Sequence, residues 1–462
     1  MNYQVPQNID HDKIFLVNRS ELIGRLDPMY VFRSINCVQH YKCKTLPLNK
    51  IVRFQTGGTP SKEHPEYWNG DIYWVSPKDF GKFYLDKSED TITELGVTNS
   101  STKIVPSRSL LMVVRSGILL HTLPITINLV PVAINQDIKV LIPNKDVIPE
   151  YLSYFFYVFN KYILSLIVKH STTVQSVNSL ELEKLPIPIP PKEIQKSIID
   201  LMDKANQNKI AKETEAQKLL NSIDHYLLSE LGITLPDNLQ PDLKDIPQWI
   251  NPENTLVKNG RLFLTKFRDI INQRWDVFEI INKGEKIEGG VYPNKKLKQI
   301  ANLIKGQSIT SDKIISGDFP VIAGGQTSPY NHNQCNYKGN IITISASGAY
   351  AGYVWYHDYS IFASDCTVVY SKNEDEVSTV YLSEVLKLKQ KEIYNLQQGA
   401  GQPHVYSRDL SELNIPIPPM EKQKNIVSYI SEIRNTAKQL LLESDKLLED
   451  VKAEIEQIIL GD

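Results

Sequence analysis

Fifteen residues of this chain, Leu185-Pro-Ile-Pro-Ile-Pro-Pro-Lys-Glu-Ile-Gln-Lys-Ser-Ile-Ile199, return as Leu413-Asn-Ile-Pro-Ile-Pro-Pro-Met-Glu-Lys-Gln-Lys-Asn-Ile-Val427, identical at 10 of 15 positions with an offset of 228. A string that long and that proline-rich, written twice, marks a tandem duplication, so the chain must fold as two copies of one unit. Each copy ends in an extended Pro-rich stretch feeding an amphipathic helix, because Pro-Pro cannot sit inside a helix but suits its first turn.

The repeat reaches further. Lys218-Leu219-Leu220 matches Lys446-Leu447-Leu448 at the same offset. Near the start of each half, Arg25-Leu26-Asp27 matches Arg274-Trp275-Asp276, and Leu48, Ile51 and Gly57 match Leu297, Ile300 and Gly306, now at an offset of 249. The edges and exit helices are therefore alike, while the interiors have diverged in length and sequence. A shared frame carrying two different recognition surfaces is expected to have this pattern.

The 462 residues suffice for two to four domains, each with its own core. Cys37, Cys43, Cys335 and Cys366 have no metal-ligand or redox spacing and read as free thiols of a cytoplasmic protein. Tyr151 to Val168 is the longest apolar run, but Asn160 and Lys161 interrupt it, so a core helix is expected and no membrane partner. A net charge of −2 does not advertise nucleic-acid binding, although a whole-chain sum can hide a basic face.

Short β-branched runs alternate with Gly and Pro turns in each half. Ile14 to Val17 and Leu262 to Thr265 are expected as opening strands; Asp71–Val75, Ser109–Val114 and Asp137–Ile142 as strands of the first half; Asn340–Ile344, Gly352–Tyr356 and Cys366–Tyr370 as strands of the second. Helices are expected near Pro149–Lys169 and Val377–Lys391. Each half is thus an α+β globule of mixed α/β character. The exit helices should run from the Pro-Pro pairs to Gly232 and Gly461, about 40 residues and roughly 60 Å each. In the second, Ile426, Ile430, Ile433, Ala437, Leu440, Leu447, Val451 and Ile455 form a seam broken by Ser444. Two such helices in a duplicated chain are expected to pair antiparallel as a coiled coil, giving a pseudo-twofold internal repeat. The resulting partition is 1–184 for the first domain, 185–232 for its helical spacer, 233–260 for a Pro-rich linker, 261–412 for the second domain and 413–462 for its spacer.

Catalytic and cofactor motifs are missing from the sequence: it has no phosphate loop, dinucleotide fingerprint, nucleophile elbow or zinc helix. Pro236-Asp237 with Asp242-Leu-Lys244 spells a nuclease-like string, but its spacing is too short and it falls in the linker. His121 and His404 read as polar or hydrogen-bonding residues. Gly57-Gly58-Thr59-Pro60-Ser61-Lys62 is a tight small-residue turn whose backbone can approach a phosphate, and Lys305-Gly306-Gln307-Ser308 is its counterpart. Val114-Arg115-Ser116-Gly117 and Ser345-Ala346-Ser347-Gly348 each follow a strand and offer polar groups to a groove. Arg115 is of the type that reads guanine bidentately.

The doubled Leu-x-Ile-Pro-Ile-Pro-Pro-x-x-x-Gln-Lys-x-Ile string with its long helices resembles the specificity subunit of type I restriction–modification systems. Thr56-Gly-Gly-Thr-Pro-Ser61 leading to Trp74-Val-Ser76, and Gly401-Gln-Pro-His404 before the second string, carry the same resemblance. It implies two target recognition domains, each binding one half of a split DNA site, joined by helices that fix the spacing and dock two methyltransferase subunits. S-adenosylmethionine, ATP and Mg are then expected on the methyltransferase and restriction–translocase partners, and none on this chain. DNA contacts are expected from Thr59, Ser61, Lys62, Lys78 and Arg115 in the first domain, and from Gln307, Ser308, Ser347, Tyr350 and Gln402 in the second. Methyltransferase docking is expected at Pro190, Pro191, Gln195, Pro418, Pro419 and Gln423, with a structural capping role for the two glutamines as the other reading. A rival is a DNA-recognition partner of a single-chain methyltransferase–nuclease; a more distant one is a non-DNA interaction protein that kept the frame.

Overall fold

The computed structural model describes residues 41–169, 174–234, 287–328, 330–399 and 401–460. The expected opening strands, the Arg25 and Arg274 triads, Cys37, nearly all of the Pro-rich linker with its Asp-rich string, and Gly461 lie outside them. The chain divides into two compact units, one made of Met1–Glu213 with Leu442–Asp462 and the other of Thr214–Leu441. This differs from the partition read from the sequence. Each long helix is shared, because half of it packs with one domain and half with the other.

In the first unit, β1 (Thr45–Pro47), α1 (Leu48–Ile51) and β2 (Val52–Thr56) enter the domain. β3 (Leu110–Val113), β4 (Ile125–Asn128) and β5 (Ile138–Pro143) build its main sheet, in the order β2-β5-β3-β4 with Tyr84–Leu85 at the far edge. A second sheet of Asp90–Ile92, Trp68–Val75, Val132–Ile134 and Ile104–Val105 elaborates it. α2 (Pro149–Val158) packs on the main sheet with Tyr151, Leu152, Phe155 and Phe156 buried, each worth about 1.5–3 kcal/mol of apolar burial. The apolar run expected as one core helix breaks at Phe159 and resumes as Asn160–Ile167, and both pieces belong to the core. Among the described residues no helix is long and apolar enough to cross a membrane. The domain closes with α3 (Ser179–Lys184), β6 (Pro186–Pro188) and α4 (Lys192–Leu231).

The second unit repeats the frame: β7 (Asn294–Lys296), α5 (Leu297–Ile300), β8 (Ala301–Lys305), β9 (Ile341–Ser345), β10 (Val354–His357), β11 (Cys366–Ser371), α6 (Thr379–Leu388), α7 (Ser407–Leu410), β12 (Asn414–Pro416) and α8 (Met420–Leu460). Its main sheet runs β8-β11-β9-β10, the first unit's order, while the accessory sheet shrinks to Asn331–His332, Phe319–Ile322 and Phe362–Ala363.

The Pro-rich strings occupy the ribbons β1–β6 and β7–β12, which pair antiparallel with Leu46 opposite Ile187 and Lys295 opposite Ile415. Leu48 N–H bonds to Leu185 O at 2.9 Å and Ile189 N–H to Lys44 O at 2.8 Å, so residues 185, 187 and 189 face the partner strand. Pro186 and Pro188 fall on the alternate positions, where a missing amide donor costs no ladder bond. The outward carbonyl of Pro188 accepts the Tyr151 hydroxyl at 2.9 Å, and that of Pro416 accepts the Tyr381 hydroxyl at 2.9 Å.

The two long helices run antiparallel within each unit. In the first, Lys209 pairs with Asp445 and Lys212 with Glu443, beside a seam of Ile198, Met202, Ala205, Leu448, Ile455 and Ile459. In the second, Lys422 pairs with Glu230 and Tyr226 packs on Tyr429, beside Ile223, Leu227, Leu231, Ile426, Ile430 and Ile433. Ser444 is buried, and beyond it Leu448 takes the buried place expected for Leu447. α4 ends at Gly232 (φ 64°), where Ile233 N–H reaches Leu228 O and Gly232 N–H reaches Ser229 O, a doubly bonded C-cap.

Candidate nucleic-acid interface

The expected contact residues gather at one end of each main sheet, where β2 and β3, or β8 and β9, finish and β5 or β11 begins. In the first unit, Gly57 lies so close to Ile134 that a Cβ would stand 2.1 Å from its carbonyl oxygen. Gly58 N–H bonds to that oxygen at 3.0 Å, and Gly58 O accepts Trp74 Nε1–H at 3.1 Å. Trp68 Nε1–H likewise holds Ser61 O at 3.2 Å. Both tryptophans therefore brace the turn, which is why Thr59, Ser61 and Lys62 stand exposed on a fixed backbone. The Thr59 hydroxyl donates to Gln136 Oε1 at 2.6 Å, and Lys62 Nζ sits 6.0 Å above the Trp68 ring.

Arg115 follows β3, is exposed, and bridges in antiparallel fashion to Ser176. Lys78 stands differently. Its ammonium lies 3.0 Å from Asp90 and 3.1 Å from Glu89, and these carboxylates hold its pKa above the ordinary lysine value. Two local anions thus partner its charge, while the side chain itself stays exposed.

The second unit builds the same platform with other side chains. Gly306 is pressed against Ser364, with a hypothetical Cβ 2.1 Å from the Ser364 oxygen, and Gln307 N–H bonds to Ala363 O at 3.0 Å. Gln307 and Ser308 are exposed beyond it. Ser347 follows β9, donates its hydroxyl to Asp365, and bridges to His404. Tyr350 is 45% exposed and Gln402 exposed, on the two loops joined where Gly348 N–H meets Pro403 O at 3.1 Å.

Three backbone bonds of the two platforms correspond. Val114 N–H to Asp137 O (2.8 Å) corresponds to Ala346 N–H to Asp365 O (3.2 Å), and Ser116 N–H to Gln175 O (3.1 Å) to Gly348 N–H to Pro403 O. Val177 N–H to Val114 O (2.9 Å) corresponds to Val405 N–H to Ala346 O (3.0 Å). Arg115 thus occupies the place of Ser347, and Ser176 that of His404. Sequence comparison missed these equivalences because the offset changes inside each domain.

The helix-start residues divide cleanly. Pro191 and Pro419 are exposed, whereas Pro190 and Pro418 are buried. Gln195 is 1% exposed and Gln423 0%. Gln195 Oε1 accepts Ile148 N–H at 2.9 Å, while its Nε2 donates to Asp146 O at 3.0 Å and Pro190 O at 2.9 Å. Gln423 repeats this with Ser378 N–H, Glu376 O and Pro418 O, each at 2.9 Å. The docking role expected for these glutamines is therefore corrected. Their amides are spent clamping the exit helix to the loop before α2 or α6, and no partner can touch them.

Among the described residues no group of His, Cys, Asp or Glu is placed to hold a metal. Cys366 is buried, and burial pushes its thiol up to about 12, leaving it protonated and unreactive.

Comparison with known proteins follows this geometry. The specificity subunit of the EcoR124I/EcoR124II type I restriction enzyme of Escherichia coli is 40% identical over 158 residues, 34% of this chain and 39% of that protein. The MjaIX specificity subunit of Methanocaldococcus jannaschii is 32% identical over 161 residues, 33% of this chain and 36% of the relative. The alignments thus span less than half of either relative. A chain from a solved structure concerned with assembly and conformational transition of the type I R-M system shares the fold, with a TM-score of 0.57 at 16% identity over 92% of this chain and 99% of that one. The model for the type I restriction modification DNA specificity domain matches twice, over residues 42–222 and 291–449, one match to each copy of the frame. The chain belongs to that family.

Proposed function

We propose that this chain is the DNA-reading specificity subunit of a type I restriction–modification complex and performs no chemistry itself. Each domain binds one half of a split, asymmetric duplex site through the sheet end that carries the Gly57 or the Gly306 turn. The observation that carries the reading is the pair of platforms with matched backbone bonds and unmatched exposed side chains. One frame presented twice to a duplex calls for a constant backbone, and an asymmetric site calls for different readers on it. Lys62 and the turn amides supply phosphate contacts; Arg115, Gln307 and Gln402 are of base-reading type.

The helices set the number of unread base pairs, since 40 residues span about 60 Å against ~34 Å for one duplex turn. Two methyltransferase subunits dock beside the exposed Pro191 and Pro419 corners, bringing S-adenosylmethionine; restriction–translocase subunits bring ATP and Mg. The second reading, a partner of a single-chain methyltransferase–nuclease, uses the same surfaces with a different enzyme attached.

The test is a methylome. The chain is co-expressed with its cognate adenine methyltransferase in a methylation-free host, and modified adenines are mapped by single-molecule sequencing. A bipartite motif that disappears when this chain is omitted is the expected result. Unmodified DNA despite an intact complex defeats the methyltransferase assignment.

A further inference from the structure

The specificity reading leaves one exposed residue of the first platform unused. Gln136 lies between Val132–Ile134 and β5, at the tip of a turn in which Asp137 N–H bonds to Asn135 Oδ1 at 3.0 Å. Asn135 is itself buried, with its N–H on Val75 O at 3.0 Å. The backbone at 136 is therefore fixed on both sides. Its side chain is fixed too, because the Thr59 hydroxyl donates to Oε1 at 2.6 Å. That bond leaves both Nε2 hydrogens and the second lone pair of Oε1 free, the donor–acceptor pair that matches N7 and N6 of adenine in the major groove.

A neighbouring residue strengthens the case. Ile138 is paired with Val113, and Val114 N–H bonds to Asp137 O, so the turn that carries Gln136 lies beside the end of β3, which Arg115 follows. Arg115 and Gln136 are thus two exposed residues of bidentate-reading type at one end of the sheet, the second held by Thr59 from the glycine turn. In the second unit Ser364 takes the place of Asn135, since its N–H bonds to Ile322 O as that of Asn135 bonds to Val75 O, and Asp365 follows directly, so no residue there corresponds to Gln136. Ser364 is buried, with Oγ accepting Ile309 N–H at 3.3 Å, and Ser347 bonds to Asp365. That sheet end offers short side chains that are tied down, and reading there falls to residues beyond them.

Resting on the specificity reading, we infer that Gln136 is a specificity-determining residue, contacting an adenine in the half-site of the first domain and oriented for it by Thr59. Side chains ordered before binding lose little entropy on contact, so such a pair discriminates at full strength.

The experiment uses the assembled complex with its cognate methyltransferase and compares the methylomes of wild type, Gln136→Leu, Gln136→Glu and Thr59→Val. Gln136→Leu is expected to relax one A·T position in one half-site and to lower methylation of wild-type sites roughly ten- to hundredfold, leaving the other half-site unchanged. Gln136→Glu should move the preference at that position toward cytosine, whose N4 donates to a carboxylate. Thr59→Val keeps Gln136 but frees it, and a partial relaxation at the same position is expected. If Gln136→Leu prevents assembly, the other two variants carry the test. A motif unchanged in all variants that assemble overturns the inference while leaving the specificity reading intact. A wild-type complex that produces no bipartite motif overturns the specificity reading itself.

Discussion

The two platforms differ in reach. In the first unit two long, polar side chains, Arg115 and Gln136, stand exposed at the sheet end beside β3; in the second Ser347 takes the place of Arg115 and bonds to Asp365, and no residue corresponds to Gln136. Away from this sheet end the comparison reverses. The Gln195 and Gln423 clamps are copies, down to the identity of the three backbone groups they hold. Divergence at the reading edge and identity at the helix root show which parts of the unit are free to change. A third place is intermediate: Tyr154 on α2 bonds to Asp203 on the exit helix, while at the same joint Glu384 on α6 receives a bidentate contact from Arg434. The joint is kept and its chemistry is replaced.

The largest effect expected is on the clamps. Gln195→Leu and Gln423→Leu each strand a buried N–H and two carbonyls, at a cost of about 3 kcal/mol. Urea unfolding should show equal losses; a loss in only one would break the equivalence of the two helix roots.

A nearly comparable difference should appear with pH, in one unit alone. His357 is fully buried on β10, with Thr343 Oγ1 at 2.8 Å, and burial lowers its pKa to about 4. Its place in the first unit is taken by Asn128, which does not titrate. Because the folded state resists protonation, the unfolded state binds more protons between pH 6.5 and 4. The stability of the second unit should therefore be complete above pH 6.5 and fall by about 3 kcal/mol as pH drops toward 4. Hydrogen exchange followed by unit checks it, and His357→Asn should flatten the decline.

The joints come next. Arg434→Ala leaves the buried Glu384 with Lys387 and the Ser383 hydroxyl, each at 3.5 Å, and a cost of about 2 kcal/mol is expected. Asp203→Asn, which keeps a hydrogen-bond acceptor for Tyr154, should cost about 1 kcal/mol or less. Thermal unfolding of both variants sharpens the contrast between an ionic and a neutral lock.

The smallest effect separates two lysines. Lys62→Ala should reduce the salt dependence of DNA binding by about one counterion, measured as the slope of log affinity against log salt. Lys78→Ala should leave that slope unchanged, since Asp90 and Glu89 already occupy its charge.

What the sequence made legible was local. Proline at alternate positions, Pro-Pro before a helical period and Gly232 after it are signals carried by neighbouring residues, and strands such as Leu110–Val113 and Cys366–Ser371 follow short apolar or β-branched runs. The fold class and its doubling followed from these. The site was less legible because its logic is long-range. Gln195 holds groups at 146 and 148, Lys78 is compensated from 89 and 90, and Gln136 is oriented by Thr59. No local pattern marks those pairings. The exchange of partners along the long helices was hidden for the same reason, since a heptad seam gives its own period but not the domain against which each half lies.

The proline ribbons have a consequence for the chain as a polymer. A duplicated protein contains two near-identical edge strands, each able in principle to pair with the other copy or with a neighbouring molecule. Pro186 and Pro188 present no donor on the outward side of β6, and Tyr151 occupies the Pro188 carbonyl; on β12 Pro416 presents none and Tyr381 occupies its carbonyl, while Asn414 keeps an outward N–H. An incoming strand finds few groups to bond to. The motif that most visibly advertises the repeat is thus also what keeps the two copies from being mistaken for each other during folding, and keeps separate molecules from joining edge to edge.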